Sequence, residues 1–351
     1  MVEEGLLQYF LQQEPAITDP EKDKLAFLDR GYLSSPWCDQ IHLFRERLQQ
    51  VNVKHLRQGQ IPPIDVHFLS FLPAAITEAC VCVVDGQGEQ YWYGRRATVP
   101  VQLWSATKFL PIYYLLSQIE SEASPWQWCI KDRDTDRLFS FLSLVELVFT
   151  YAEGDNVSNS LALLCKSFCC PEELTNWLHT LTGSQDDILQ GGYGAPAFLS
   201  SPILQTKDGR EISRGQYEHR GQNLVSVYSL TRALVELAWI DTNRQPDRYA
   251  LLLAAMAKDT ARYIDVAISY LSLPLSEVVI LSKMGFGRST ERNRSELVYT
   301  ALLSSRELNI CLTCRAALNL HDPAQEARYL DACMATAVTE TIANLGNFYT
   351  P

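Results

Sequence analysis

Short β-rich runs stand near both ends of this 351-residue chain, and helical patterns dominate residues 104–270 between them. Residues 79–84 form the first run, Asp85-Gly86-Gln87-Gly88 is a turn signal, and residues 91–93 begin a second, so the three read as a hairpin. β-character returns at 278–281, 296–303 and 308–312. Strands so far apart can pair only if the two ends of the chain come together. The pattern therefore predicts an α/β (α+β) fold: one antiparallel sheet flanked by terminal helices, interrupted by a helical lobe. Residues 1–36 read as an N-terminal extension and 37–351 as the main domain. Apolar residues Ile41, Leu43, Phe44, Leu48 and Val51 recur at helical spacing within 38–58, and a last amphipathic helix follows Asp322. Residues 190–220, rich in Gly, Pro, Ser and charge, read as a long loop.

Hydrophobic residues make up 47% of the chain, enough for a large core. The formal net charge of −11 speaks against a nucleic-acid partner, because phosphate binding needs a basic surface. No apolar run is long enough to span a membrane. The acidic start, with Glu3, Glu4, Glu14, Asp19, Glu21 and Asp23, is unlike a signal peptide, so the chain as written reads as cytoplasmic. Of the ten cysteines, Cys80 and Cys82 share one strand face. Cys311 and Cys314 form a C-x-x-C inside a strand-like run, where i and i+3 point to opposite faces, so joint metal ligation is not expected. The six histidines, His42, His55, His67, His179, His219 and His321, show no metal-ligand spacing. Neither a metal nor an organic cofactor is expected.

The segment that carries chemistry is Trp104-Ser105-Ala106-Thr107-Lys108. On a helix, Ser105 and Lys108 face the same way. A serine hydroxyl becomes a strong nucleophile when a base takes its proton. A lysine can be that base if burial and a neighbouring positive charge keep it neutral. A serine at a helix start also has free backbone amides nearby for a developing oxyanion. Two further motifs follow in order: Gly154-Asp155-Asn156 in the helical region, and Lys283-Met284-Gly285 on a late strand. The series parallels S-x-x-K, S-D-N and K-T-G of the penicillin-recognising serine hydrolases.

The chain resembles that superfamily, and class A β-lactamases most closely, from about residue 38 to 345. The resemblance is carried by GDNVSNSLALL and CCPEELTNWLHTL between residues 154 and 181, and by VVILSKMGFG at 278–287. It implies that Ser105 is acylated, that Lys108 is the base, and that Asn156 holds both the substrate amide and Lys108. It implies that Lys283 supplies positive charge and that the amides of Ser105 and Phe286 form the oxyanion hole. Asp155 and Gly285 would line or shape the pocket, and the family's long loop would be some part of 183–222. Trp104, next to Ser105, either lines the pocket or packs in the core.

The departures are specific. The motif-two serine is Gly154, and the hydroxyl residue of K-T-G is Met284. Residues 183–210 hold no Glu to deacylate the enzyme; Glu172 and Glu173 match a helix start. Tyr151 could replace the missing serine as a proton relay, or simply pack its helix; Ser158 is a further candidate for that gap. Arg288, Arg292 and Arg294 could hold a substrate carboxylate or form a solvated hairpin. The expected function is acyl-enzyme hydrolysis of a small-molecule or peptide-like amide or ester, with poor β-lactamase activity. The alternatives are a catalytically impaired binding protein and a glutaminase-like amidase.

Overall fold

The computed structural model describes residues 3–17, 24–38, 44–54, 56–119 and 123–349. In chain order the first elements are α1 (Glu3–Leu11), α2 (Phe44–Gln50), β1 (Ile64–Asp65), β2 (Ile76–Val84) and β3 (Gln90–Arg95). The 3-10 turn Trp104–Lys108 then leads into α3 (Phe109–Gln118). Next come β4 (Trp128–Asp132), β5 (Leu138–Ser140), α4 (Phe141–Thr150), α5 (Asp155–Lys166) and α6 (Pro171–Thr182). β6 (Ile188–Leu189), β7 (Pro202–Thr206), β8 (Glu211–Arg214) and β9 (Asn223–Leu224) follow. Helices α7 (Val227–Val235), α8 (Thr242–Arg244), α9 (Pro246–Met256) and α10 (Tyr263–Leu271) complete the middle of the chain. Strands β10 (Val279–Ser289), β11 (Arg294–Ser304) and β12 (Asn309–Leu318), then α11 (Pro323–Tyr349), end it.

The central sheet has the order β1-β3-β2-β12-β11-β10 and is antiparallel throughout, except where short β1 runs parallel to β3. The last strand of the chain thus pairs with the first long one, closing the two ends as the strand pattern requires. Period-two alternation sorts β2 between two cores: Cys80, Cys82 and Val84 face the helical lobe, whereas Ala79, Val81 and Val83 face α10 and α11. Cys311 and Cys314 of β12 likewise fall into the two opposite cores.

The structure differs from the sequence reading in the middle. Strands β5-β4-β7-β8 form a second, four-stranded sheet, and β7–β8 lies inside the stretch read as a long loop. Its sequence, Pro202 to Arg214 with Asp208-Gly209 at the turn, is a hairpin signal masked by flanking Gly and Ser. Helix α2 is also shorter than the spacing suggests; residues 39–43 of that prediction lie outside the described residues. Among the described residues no helix is long and apolar enough to cross a membrane.

The N-terminal segment shares the core of the main body. Leu6, Phe10, Leu25, Phe27 and Leu28 are buried in the cluster that includes Ala327 and Leu330 of α11. Backbone bonds hold it as well: the Phe27 amide donates to Asp331 Oδ2 (2.9 Å), and the Gly31 amide donates to the Thr260 carbonyl (2.8 Å). Beside Asp331, burial and that residue's charge push the Glu14 carboxyl well above its ordinary range.

Candidate active site

Two walls meet at Ser105. The first is the Trp104–Lys108 turn packed against β10. In a 3-10 turn, residues three apart eclipse, which puts Ser105 and Lys108 on one side. The strand comes very close: a Cβ at Gly285 would lie 2.8 Å from the amide nitrogens of both Ser105 and Ala106. Only glycine fits there without backbone movement. Gly287 does the same for Trp104, whose ring carbons would lie 2.7 Å from an added Cβ. Trp104 sits at φ 49°, and its indole Nε1 donates to Glu296 Oε2 at 3.0 Å. Such left-handed conformations are uncommon for non-glycine residues and gather at functional sites.

The second wall is the turn from α4 into α5. Helix α4 ends on Tyr151, which also adopts the left-handed conformation (φ 52°, ψ 23°). That turn sends its phenol into the cluster. Lys283 Nζ donates to the phenol oxygen at 2.5 Å, the phenol donates to the Met284 carbonyl at 3.4 Å, and the Ser105 and Ser158 hydroxyls lie close enough to hold its pKa down in part. Burial, followed by the negative charge of Asp259, pushes the phenol well above its ordinary pKa, so it stays protonated.

The two lysines differ in their surroundings. Lys108 is fully buried and donates to Ser158 Oγ (2.8 Å), which itself donates to the Val148 carbonyl (2.9 Å). Burial, then the charge of Lys283, pushes Lys108 down to about 6. Lys283 is also fully buried, but Asp259 Oδ1 lies 3.7 Å from its Nζ. Burial lowers Lys283 to about 8, with the Asp259 charge opposing that fall. Near neutral pH, Lys108 is therefore mainly unprotonated and Lys283 mainly charged.

A third buried lysine braces the loop beside Lys108. Lys166 Nζ donates to the carbonyls of Leu189 (3.1 Å) and Gly191 (2.6 Å) and to Asn223 Oδ1 (2.9 Å). This holds Tyr193 over the site, with its ring centroid 5.8 Å from Lys108 Nζ and Thr107 Oγ1 donating to its phenol at 3.4 Å.

These walls open on a cavity of about 800 Å³ lined by Trp104, Ser105, Tyr151, Asp155, Met284, Phe286 and Arg288, among others. The structure thus brings together Ser105, Lys108, Tyr151 and Lys283. Asn156 is separated from them: it is exposed and absent from the cavity wall, because α5 turns its inward face at Ser158, with Asn159 lining the cavity. Asp155 lines the cavity but is exposed. Arg288 is engaged by the buried carboxylate of Glu326 and by Asn293 Oδ1 (2.9 Å). Arg292 and Arg294 both bind Glu296, each at 2.9 Å, where Arg315 joins them. Burial alone would raise the Glu296 carboxyl, but the bonds and charges of Arg292, Arg315 and Arg294 outweigh it and pull it to about 2.

Tyr193, Asn159, Lys166, Asn223 and Asp259 were not singled out from sequence. Tyr193 had a visible signal, an aromatic residue in Gly191-Gly192-Tyr193-Gly194; buried Asp259 had none.

Among solved structures, a β-lactamase from Burkholderia ambifaria matches at TM-score 0.51 and 16% identity, covering 76% of this chain and 94% of that one. A class A β-lactamase from Mycobacterium abscessus matches at TM-score 0.48 and 16% identity, over 76% of this chain and 93% of the other. The chromosome-encoded β-lactamase of Vibrio parahaemolyticus does so at TM-score 0.48 and 15% identity, over 76% and 93%. The first of these establishes the fold: the chain is built as a β-lactamase is. No family model matches the sequence, and no curated protein matches it.

Proposed function

We propose that the protein is a serine acyl hydrolase of the penicillin-recognising type, with Ser105 as nucleophile, Lys108 as base and Tyr151 as proton relay. The observation that carries this reading is the phenol of Tyr151, which accepts a hydrogen bond from Lys283 and lines the same cavity as Ser105, beside a largely neutral Lys108. Lys108 accepts the Ser105 proton as Oγ attacks the substrate carbonyl. The Ser105 and Phe286 amides stabilise the oxyanion. The tetrahedral intermediate collapses, the bond to the leaving group breaks, and Tyr151 passes it a proton that Lys108 replaces. Charged Lys283 holds the phenol in place. Water then attacks the acyl-enzyme along the same relay, releasing the acid and restoring Ser105.

With no Glu in residues 183–210, attacking water has no loop glutamate as its base. General-base help is worth on the order of 10² to 10⁴ in rate, so a β-lactam that reacts leaves a long-lived adduct. Intact-mass measurement after exposure to a fluorophosphonate and to several β-lactams tests the reading, with Ser105→Ala as the comparison. A single adduct on the wild type that Ser105→Ala lacks supports it; identical behaviour of the two overturns it. The lost hydroxyls at Gly154 and Met284 favour a second reading, a pocket that binds without turnover.

A further inference from the structure

The cavity extends beyond Ser105 to a part of the chain outside the family resemblance. Ile17, Leu25 and Leu28 of the N-terminal segment line this extension together with Pro323, Ala324 and Ala327 at the start of α11. Leu25 and Leu28 are buried, and the segment is fastened at the Phe27 and Gly31 amides, so the wall is built into the fold. Its position relative to the chemistry follows from the shared wall: Asp29 of this segment lines the same cavity as Asp155, Tyr151 and Ser105. The segment therefore borders the relay side of the site, where a leaving group receives its proton.

The inner cations there are committed: Arg288 is taken by buried Glu326, and Lys283 is enclosed with Tyr151 and Asp259. Lys24 also lines the cavity but is exposed, on the same wall as Asp29. Met284 replaces a carboxylate-gripping hydroxyl with an apolar wall.

We propose, resting on the hydrolase reading above, that Leu25, Leu28 and Ala324 form a leaving-group pocket selecting esters of uncharged, apolar alcohols. In the step concerned, the Ser105 Oγ–carbonyl bond forms and the bond from that carbonyl to the alcohol oxygen breaks. The Oγ proton reaches that oxygen through Lys108 and Tyr151, and the neutral alcohol occupies the pocket until water releases the acid.

The test uses the full chain and phenyl acetates whose para substituent grows from methyl through butyl to hexyl, which leaves the leaving-group pKa nearly constant. The expected result is a rise in kcat/KM of about two- to fourfold per buried methylene, carried mainly by KM. The acetate of 3-(4-hydroxyphenyl)propionate, which places a carboxylate in the same space, should react at least about tenfold more slowly than its butyl counterpart, as burying an unpaired charge requires. Ala324→Trp, at the half-buried first turn of α11, should flatten the chain-length slope. A flat slope in the wild type, or a slope only when the acyl chain is lengthened instead, overturns the pocket. Fluorophosphonate labelling of Ser105 separates the two claims. Labelling with no leaving-group preference sinks the pocket and leaves the hydrolase reading standing; no labelling and no ester turnover sinks both.

Discussion

The two walls of the site have kept different things. On the Trp104–Lys108 and β10 side, the turn packs on the strand and Lys283 lies across from it. On the α4–α5 side Asn156 is exposed, and Tyr151 and Ser158 face the lysines. The difference lies in how much slack each backbone has. Strand β10 is hydrogen-bonded along its length to β11 and touches the nucleophile turn through Gly285, so a shift of one residue would break many contacts. The turn after α4 is exposed between Ala152 and Asn156, and an exposed turn absorbs extra residues at little cost. The side chain that meets the lysines can thus change with a shift in the turn, and hardly at all with a shift in the paired strand.

The largest effect that tests this contrast is on the rigid wall. Lys108→Met should slow acylation by a small activated ester by about 10² to 10⁴, the usual worth of a general base, with near-wild-type thermal stability. A loss below tenfold would remove Lys108 as the base. Gly285→Ala should disturb Ser105 directly, because the new methyl has only backbone to press against. A loss of about 1–3 kcal/mol in denaturant unfolding is expected, together with loss of fluorophosphonate labelling. Full labelling would mean that the strand and turn are less tightly joined than described.

On the slack wall the comparison is between neighbours. Ser158→Ala should slow acylation by about tenfold, since it removes a hydrogen bond to a buried amine. Asn156→Ala should change it by less than about twofold. If the two variants lose equal activity, or Asn156→Ala loses more, the shifted second wall is wrong. Tyr151→Phe sharpens the same point, and equal acylation rates in it and the wild type would take the phenol out of the relay.

The smallest effect is in the pH profile. Lys108 must be unprotonated, so kcat/KM should fall as pH drops below about 6; Lys283 must be charged, so it should fall again as pH rises above about 8. Tyr151→Phe removes the contact to Lys283 and should move the alkaline limb while leaving the acid limb in place. Movement of the acid limb alone would reverse the assignment of the two lysines.

Much of the fold could be read from local pattern. Short β-rich runs marked β2 and β12, and the period of two along a strand put Cys80 with Cys82 and set Cys311 against Cys314. The four-stranded side sheet escaped because β4 and β5 are short runs between helices, and β7–β8 is bordered by loop-like composition. The N-terminal segment escaped for another reason. Nothing in residues 24–29 says that Asp331 and Thr260 lie across from them.

The sequence by itself determined the order of the long central-sheet strands and the last helix, the Trp104–Lys108 turn, and the glycine that lets β10 approach it. These follow from backbone periods and steric limits that act over a few residues. Tertiary structure alone decided which side chain of the α4–α5 turn meets Lys108, that Lys166 carries Tyr193 over the site, and that Leu25 and Leu28 wall the cavity. It also set the difference between the two lysines, because desolvation is imposed by residues from all over the chain. Lys108 loses its proton near pH 6 since it is buried beside another cation, whereas Lys283 keeps its proton longer because Asp259, 24 residues earlier in the chain, ends 3.7 Å away.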